Sequence, residues 1–217
     1  MKGTSHAIVG GATGVVLSDI LGADARAIVL ITTIASLTPD VDVENSIINQ
    51  MLIPIKTKNR NHLKVFLGLS ILGIGYMFLK SILIQYLGAI IVLSTLSSKV
   101  TYRFNLFDGL QKREEHRTLF HHPIIGGLIF IAPILSLDIP KDYKIAFMVG
   151  ILVGHYLMDT FTTYGLPFYP FKRTLRMPIH FDSRNSLAEF LIVSVYLGFL
   201  ALVKYPEIVV LANKILN

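Results

Sequence analysis

Apolar residues fall in long runs, Val65 to Leu79, Ser81 to Leu96, Pro123 to Leu137, Ile145 to Leu157 and Leu187 to Val203, with most of the charge in the loops between them. Each run approaches the length of a bilayer crossing, although several fall short of the ~20 residues that suit a span. The pattern predicts seven helical segments, roughly 5–22, 25–37, 63–79, 81–97, 121–137, 143–164 and 187–203, and a short amphipathic tail at 206–216. The first two are the weakest, because 13 residues rise only ~20 Å as a helix, and they are expected to form a shallow hairpin. No Ser- or Pro-rich linker and no internal repeat divides the chain. The expectation is a single integral domain over 1–217, an all-α polytopic bundle of about five to seven membrane-embedded helices, with 63–97 as a peripheral helical hairpin.

Composition supports a membrane setting: 53% of residues are hydrophobic and only 16% charged, against about 25% in an ordinary soluble domain. The formal charge of +6 would suit nucleic acid, but the basic residues sit in loops, where the positive-inside rule expects them, and no nucleic acid partner is expected. Lys2, a modest apolar stretch and Ala23-Asp24-Ala25 imitate a signal peptide, yet His6, Asp19 and the glycines make a poor hydrophobic region, so cleavage is not expected. If the segments alternate, loops 38–62, 98–120 and 165–186 share one side with the larger share of the basic residues, which places that side in the cytoplasm.

The same alternation collects the ionisable residues at one depth. His6 opens the first segment, Asp40 and Asp42 follow the second in LTPDVD, and His116 and His121 precede the fifth in EHRTLFHHP. His155 and Asp159, four apart in GHYLMDTFTTYG, stack on one face of the sixth. Ionisable groups in membrane segments are costly and mark functional sites. With no cysteine in the chain, a metal here would be held by imidazole and carboxylate, a set that suits zinc, with manganese or iron as alternatives. The number of such residues exceeds one tetrahedral zinc and would suit two metals sharing a carboxylate, so one or two ions are expected.

Each residue also has a plainer use. His155 would serve as a packing hydrogen bonder, Asp42 as the N-cap of a helix beginning VENSIINQML, and Asp40 after Pro39 as a turn residue. His6 shares a face with Gly10 and Gly14, which permits close helix packing, and His122 before Pro123 suits a helix start. His62 and His180 read as interfacial loop residues. The loop PFYPFKRTLRMPIHF reads as an interfacial anchor or, through Arg173 or Arg176, as a clamp on a phosphate-bearing substrate. SKVTYRFNLFDGLQKREE suits an interfacial amphipathic helix.

The motifs SHAIVGG, LTPDVDVENS, HRTLFHH and GILVGHYLMDTFTTYGLPFYPFKRTLRMPI occur here in the order found in the membrane-bound metal-dependent hydrolases of the YdjM type, also described as LexA-regulated inner-membrane hydrolases, and the chain resembles that family everywhere except in 63–97. The resemblance implicates His6, Asp40, Asp42, His116, Arg117, His121, His155, Asp159 and Thr162, with Gly165 ending the helix. In the middle motif this chain departs from the family, with Thr118, Phe120 and His122 where the family has glycine, threonine and serine. The His and Asp spacing is also loosely similar to zinc-dependent phospholipase C and nuclease P1 enzymes.

Together these readings predict a hydrolase of an ester or phosphoester in a lipid or lipid-linked substrate, acting at the cytoplasmic face of the inner membrane. Metal would be held by His6, Asp40, His116, His121, His155 and Asp159, with Asp42 as general base. Arg117 or Arg173 would neutralise the substrate anion, and Thr162 and His122 would support the ligands. No protein partner is inferable. The alternatives are a metal-ion or proton transporter and a membrane protein whose metal only ties helices together.

Overall fold

The computed structural model describes residues 1–43, 46–54, 60–104, 119–168, 173–182 and 185–206. Helices dominate. The first, α1 (Gly3–Leu21), closes on Gly22, whose φ of 61° lies in the left-handed region that glycine adopts without a Cβ penalty. Asp24 then caps α2 (Ala25–Leu37) by accepting the Arg26 N–H. The two helices form a hairpin whose backbones touch through small residues. A Cβ on Gly10 would lie 2.8 Å from the Thr32 carbonyl oxygen, and one on Gly14 would lie 2.7 Å from the Val29 Cα.

Helix α2 runs into a 3₁₀ turn, Thr38–Asp42, with Pro39 near its start. The short α3 (Ile47–Leu52) follows, capped by Ser46, whose hydroxyl accepts the Asn49 N–H. Asp42 is therefore not the cap of that helix. It ends the 3₁₀ turn instead, and its carboxylate accepts a 2.6 Å bond from Ser97 Oγ.

A second hairpin joins α4 (Arg60–Met77) to α5 (Ile82–Phe104), again at glycine contacts: a Cβ on Gly68 would lie 2.9 Å from the Gly88 carbonyl oxygen. After a 3₁₀ turn at Leu119–His121, the chain makes α6 (Pro123–Gly126), a π-helical stretch Gly127–Ile131, and α7 (Ala132–Ser136). The next passage is α8 (Lys141–Val149), a π-helical stretch Gly150–Leu157, and α9 (Met158–Thr160). The helix expected over 143–164 thus stops at Thr160, and its bonds span one residue more per turn around His155 than in an ideal α-helix.

A small antiparallel pair, β1 (Leu166–Phe168) with β2 (Arg173–Leu175), was not expected in an all-α chain. Gly165, at φ 60°, turns the chain into β1, where a Cβ would strike the Leu175 carbonyl oxygen. The chain then enters α10 (Ser186–Lys204), capped by the Asn185 side chain. The tail expected at 206–216 and the amphipathic segment up to Glu115 lie outside the described residues, apart from Pro206 and the backbone through Phe104.

Contacts fix the helix directions. Lys2 and Glu189 meet where α1 and α10 begin, and Asp19 and Lys204 pair at 3.0 Å where they end. α2 and the 150–157 stretch run side by side toward the other end of that pair: Gly150 packs on Thr32 and Gly154 on Ser36. α4 leaves from the 3₁₀ turn at Lys64 and α5 returns to it at Ser97. The starts of α1, α4 and α10 and the ends of α2, α5 and α9 therefore gather at one end of the bundle. Phe120, Phe130, Ile151, Tyr156, Ala35 and Val41 form the apolar core beneath that end. Among the described residues, α1 and α10 are long and apolar enough to cross a membrane, each about 28 Å in rise. On α10, Phe190, Val195 and Phe199 are at least 60% exposed, as a lipid-facing surface would be.

Candidate metal centre

His6 lies on the first turn of α1, with its ring packed face to face on that of His155, 4.1 Å between centroids. The close approach of Gly10, Gly154 and Ser36 permits this: a Cβ on Gly154 would fall 2.6 Å from Ser36 Cβ. The same contact orients both rings. His6 Nδ1–H donates to the Gly154 carbonyl at 2.8 Å, and His155 Nδ1–H donates to the Ser36 carbonyl at 2.9 Å. A carbonyl only accepts, so each Nδ1 carries a proton, and Nε2 is the nitrogen left to each ring as a ligand atom. A backbone carbonyl on the far nitrogen is also the usual arrangement behind a metal-ligating histidine.

Both Nε2 atoms face Asp159. His6 Nε2 is 3.4 Å from Oδ1 and His155 Nε2 is 3.7 Å from Oδ2, both beyond good hydrogen-bond length. His155 Nε2 is completely buried and accepts no hydrogen bond among the described residues. An orphaned imidazole nitrogen in a dry interior is costly unless something binds it. Two ligands on a tetrahedral zinc, with bonds of 2.0–2.1 Å, stand about 3.3 Å apart, close to these spacings. The donor set therefore fits a divalent metal. Asp159 is further held by the Met1 ammonium on Oδ1 at 3.1 Å, and Thr162 Oγ1 donates to its main-chain carbonyl at 2.8 Å.

Across the His155 ring lies a second pair. His121 Nε2–H donates to Asp40 Oδ1 at 3.1 Å, and the His121 and His155 rings are 5.1 Å apart. Burial works against both charges, but the hydrogen bond and charge of His121 hold the Asp40 carboxyl well below the ordinary carboxylate range. Burial likewise opposes a charged His121, and its bond to Asp40, with the Asp42 and Asp159 charges nearby, nevertheless raises its imidazole above its usual value. Within each of the sets His6–His155–Asp159 and Asp40–His121–His155, one ligand atom per residue lies within 4.8 Å of the others.

Asp42 stands one step out, bonded to Ser97. Lys64 is buried and donates from Nζ to the Val41 carbonyl at 2.7 Å, between the two aspartates. His122 caps α6 by accepting the Ile125 N–H at 3.4 Å, the helix-start use of that residue. Arg176 is exposed and donates to the Thr163 carbonyl, while His62 and His180 are exposed. His116, Arg117 and the Arg173 side chain lie outside the described residues.

The profile of the YdjM inner membrane protein family matches residues 1–212. The chain belongs to the YdjM family. That match includes the α4–α5 hairpin, which contributes Lys64 and Ser97 to the turn carrying Asp40 and Asp42. No curated protein and no solved structure matches the chain.

Sequence reasoning missed three groups that support this YdjM-family site. Lys64 was only one more basic loop residue, although a lysine opening an apolar run is a signal. Ser97 gave none. Glu189, the lone acid in the last apolar run, is buried and accepts the Lys2 N–H at 2.6 Å, fixing the start of α1 four residues before His6. The Ser36 and Gly154 carbonyls that orient the rings belong to the main chain and carry no sequence signature.

Proposed function

We propose that this YdjM-family protein is a multi-pass, metal-dependent hydrolase of an ester or phosphoester bond in a lipid or lipid-linked substrate, with its site at the cytoplasmic face of the inner membrane. The observation that carries the reading is the buried convergence of His6, His155 and Asp159, with the two Nε2 atoms fixed toward one carboxylate. The ion, zinc by preference, would draw its ligands from among the two sets His6–His155–Asp159 and Asp40–His121–His155. When bound it would act as a Lewis acid and supply a water ionised near neutral pH.

The chain's own groups supply the rest. Ser36 and Gly154 hold the imidazole tautomers, so no reorganisation is needed for ligation. Asp42, outside both ligand sets and bonded to Ser97, would serve as the general base. Lys64 balances the negative charge of the Asp-Val-Asp turn. Exposed apolar side chains along α10 suit a substrate that reaches the site from lipid.

A conducting pore would carry polar groups onward through the bundle. Instead, buried Thr13, Ser18 and Thr32 each donate to a carbonyl of their own helix. The test is lipid profiling of proteoliposomes incubated with wild type and with Asp159→Ala. Loss of a lipid class with the appearance of its hydrolysed product in wild type alone is expected. Identical profiles across ester- and phosphoester-bearing lipids would contradict the reading.

A further inference from the structure

The two candidate ligand sets are not equivalent, and the difference lies in which nitrogen of each ring carries a proton. They overlap at His155, whose Nδ1–H is committed to the Ser36 carbonyl. That leaves Nε2 as its ligand atom, and one ligand atom binds one ion. His6 matches His155 in every respect, with Nδ1–H on a backbone carbonyl and Nε2 toward Asp159 at a spacing too long for a hydrogen bond. His121 differs. The nitrogen it turns toward the site, Nε2, donates to Asp40 at 3.1 Å, within hydrogen-bond range and shorter than the about 3.3 Å edge of a tetrahedral zinc.

From this asymmetry we infer that the chain seats a single ion on His6, His155 and Asp159, and that Asp40 and His121 stay outside the coordination shell as a hydrogen-bonded pair beside it. Two imidazoles and one carboxylate leave at least one coordination position for water or substrate, as a catalytic rather than a structural site requires. One ligand atom of each member of the pair lies within 4.8 Å of a ring nitrogen of His155, close enough to reach what binds beside that ring. Asp40 and His121 are thus positioning residues for the reactants. Asp40 is placed by the Thr38–Asp42 turn, which Lys64 holds through the Val41 carbonyl, and His121 by the separate 3₁₀ turn Leu119–His121. The inference rests on the metal-dependent reading and sharpens it: one ion, three protein ligands among the described residues, and a hydrogen-bonded pair that orients what binds.

X-ray absorption at the zinc edge of full-length wild type, purified without chelator and loaded with zinc, reads the shell directly and needs no variant. Two imidazoles per zinc and one zinc per chain are expected. Three imidazoles, or two zinc ions per chain, would overturn the division of roles. Variants give an independent readout in metal retained after dialysis. His6→Ala, His155→Ala and Asp159→Asn are expected to lose the ion. Asp40→Asn and His121→Gln are expected to keep it with less than about tenfold loss of affinity, the lower bound usual for disturbing an outer partner of a metal ligand. Loss from His121→Gln as complete as from His155→Ala would overturn the inference while leaving a metal enzyme in place. Wild type that binds no zinc at all would overturn both readings.

Discussion

Two helical hairpins in this molecule use the same packing device to different ends. α1 and α2 approach through Gly10 and Gly14, and α4 and α5 through Gly68 and Gly88. In the first hairpin the groups facing the glycines are Thr32 and Ser36, and a third helix, entering at Gly150 and Gly154, packs on the same two residues. In the second the glycines face Val92 and Leu72, and Phe66, Tyr76, Met77 and Phe78 are each at least 69% exposed among the described residues. Three helices locked at backbone contact fix ring positions. Two helices with exposed flanks do not, and the second hairpin meets the acidic turn through its polar ends Lys64 and Ser97. Positional accuracy at the ligands comes from the first arrangement, and charge balance at the acidic turn from the second.

The largest expected effect comes from breaking the first hairpin's contact. Gly154→Val places a side chain against Ser36 Cβ, at 2.6 Å already for the Cβ alone, and the main-chain neighbours cannot yield. Loss of about 3 kcal/mol or more is expected, read as a collapse of the melting transition in detergent together with loss of bound metal. Next is the hairpin's hold on the turn. Lys64→Met strips the charged donor from the Val41 carbonyl, in the turn that carries Asp40 and Asp42, at a cost of about 1.5–3 kcal/mol in chemical denaturation.

Ser97→Ala leaves Asp42 without its hydroxyl donor. About 1–2 kcal/mol is expected, with hydrolysis falling more than metal content, because Asp42 is not a ligand. The smallest effect tests the comparison from the other side. Gly73, in α4, has nothing within 4 Å of an added Cβ, so Gly73→Ala is expected to stabilise by up to about 1 kcal/mol with site properties unchanged. A Gly73→Ala variant as damaged as Gly154→Val would erase the contrast between the hairpins.

The helices were legible because apolar runs of bilayer scale announce themselves, and the gathering of His6, Asp40, His121, His155 and Asp159 at one end followed from alternation alone. What the sequence concealed is physical in origin. The π-helical stretch at Gly150–Leu157 coincides with the close packing of Gly150 on Thr32 and Gly154 on Ser36, tertiary contacts that no local pattern encodes. Ser46 captured the α3 N-cap from Asp42 because it sits next to the helix start, leaving Asp42 to Ser97, 55 residues away. The β1–β2 pair arises where Gly165 supplies a positive φ inside a loop whose prolines and aromatics read as an anchor.

The central claim is that His6, His155 and Asp159 form a seat for metal, and elemental analysis tests it most directly. Full-length protein purified from membranes without chelator is compared with His155→Ala, both checked for folding by thermal melt. About one equivalent of a transition metal in wild type and none in a folded His155→Ala is the predicted result. Folded wild type that carries no metal and takes up none on exposure to zinc, manganese or iron would contradict it.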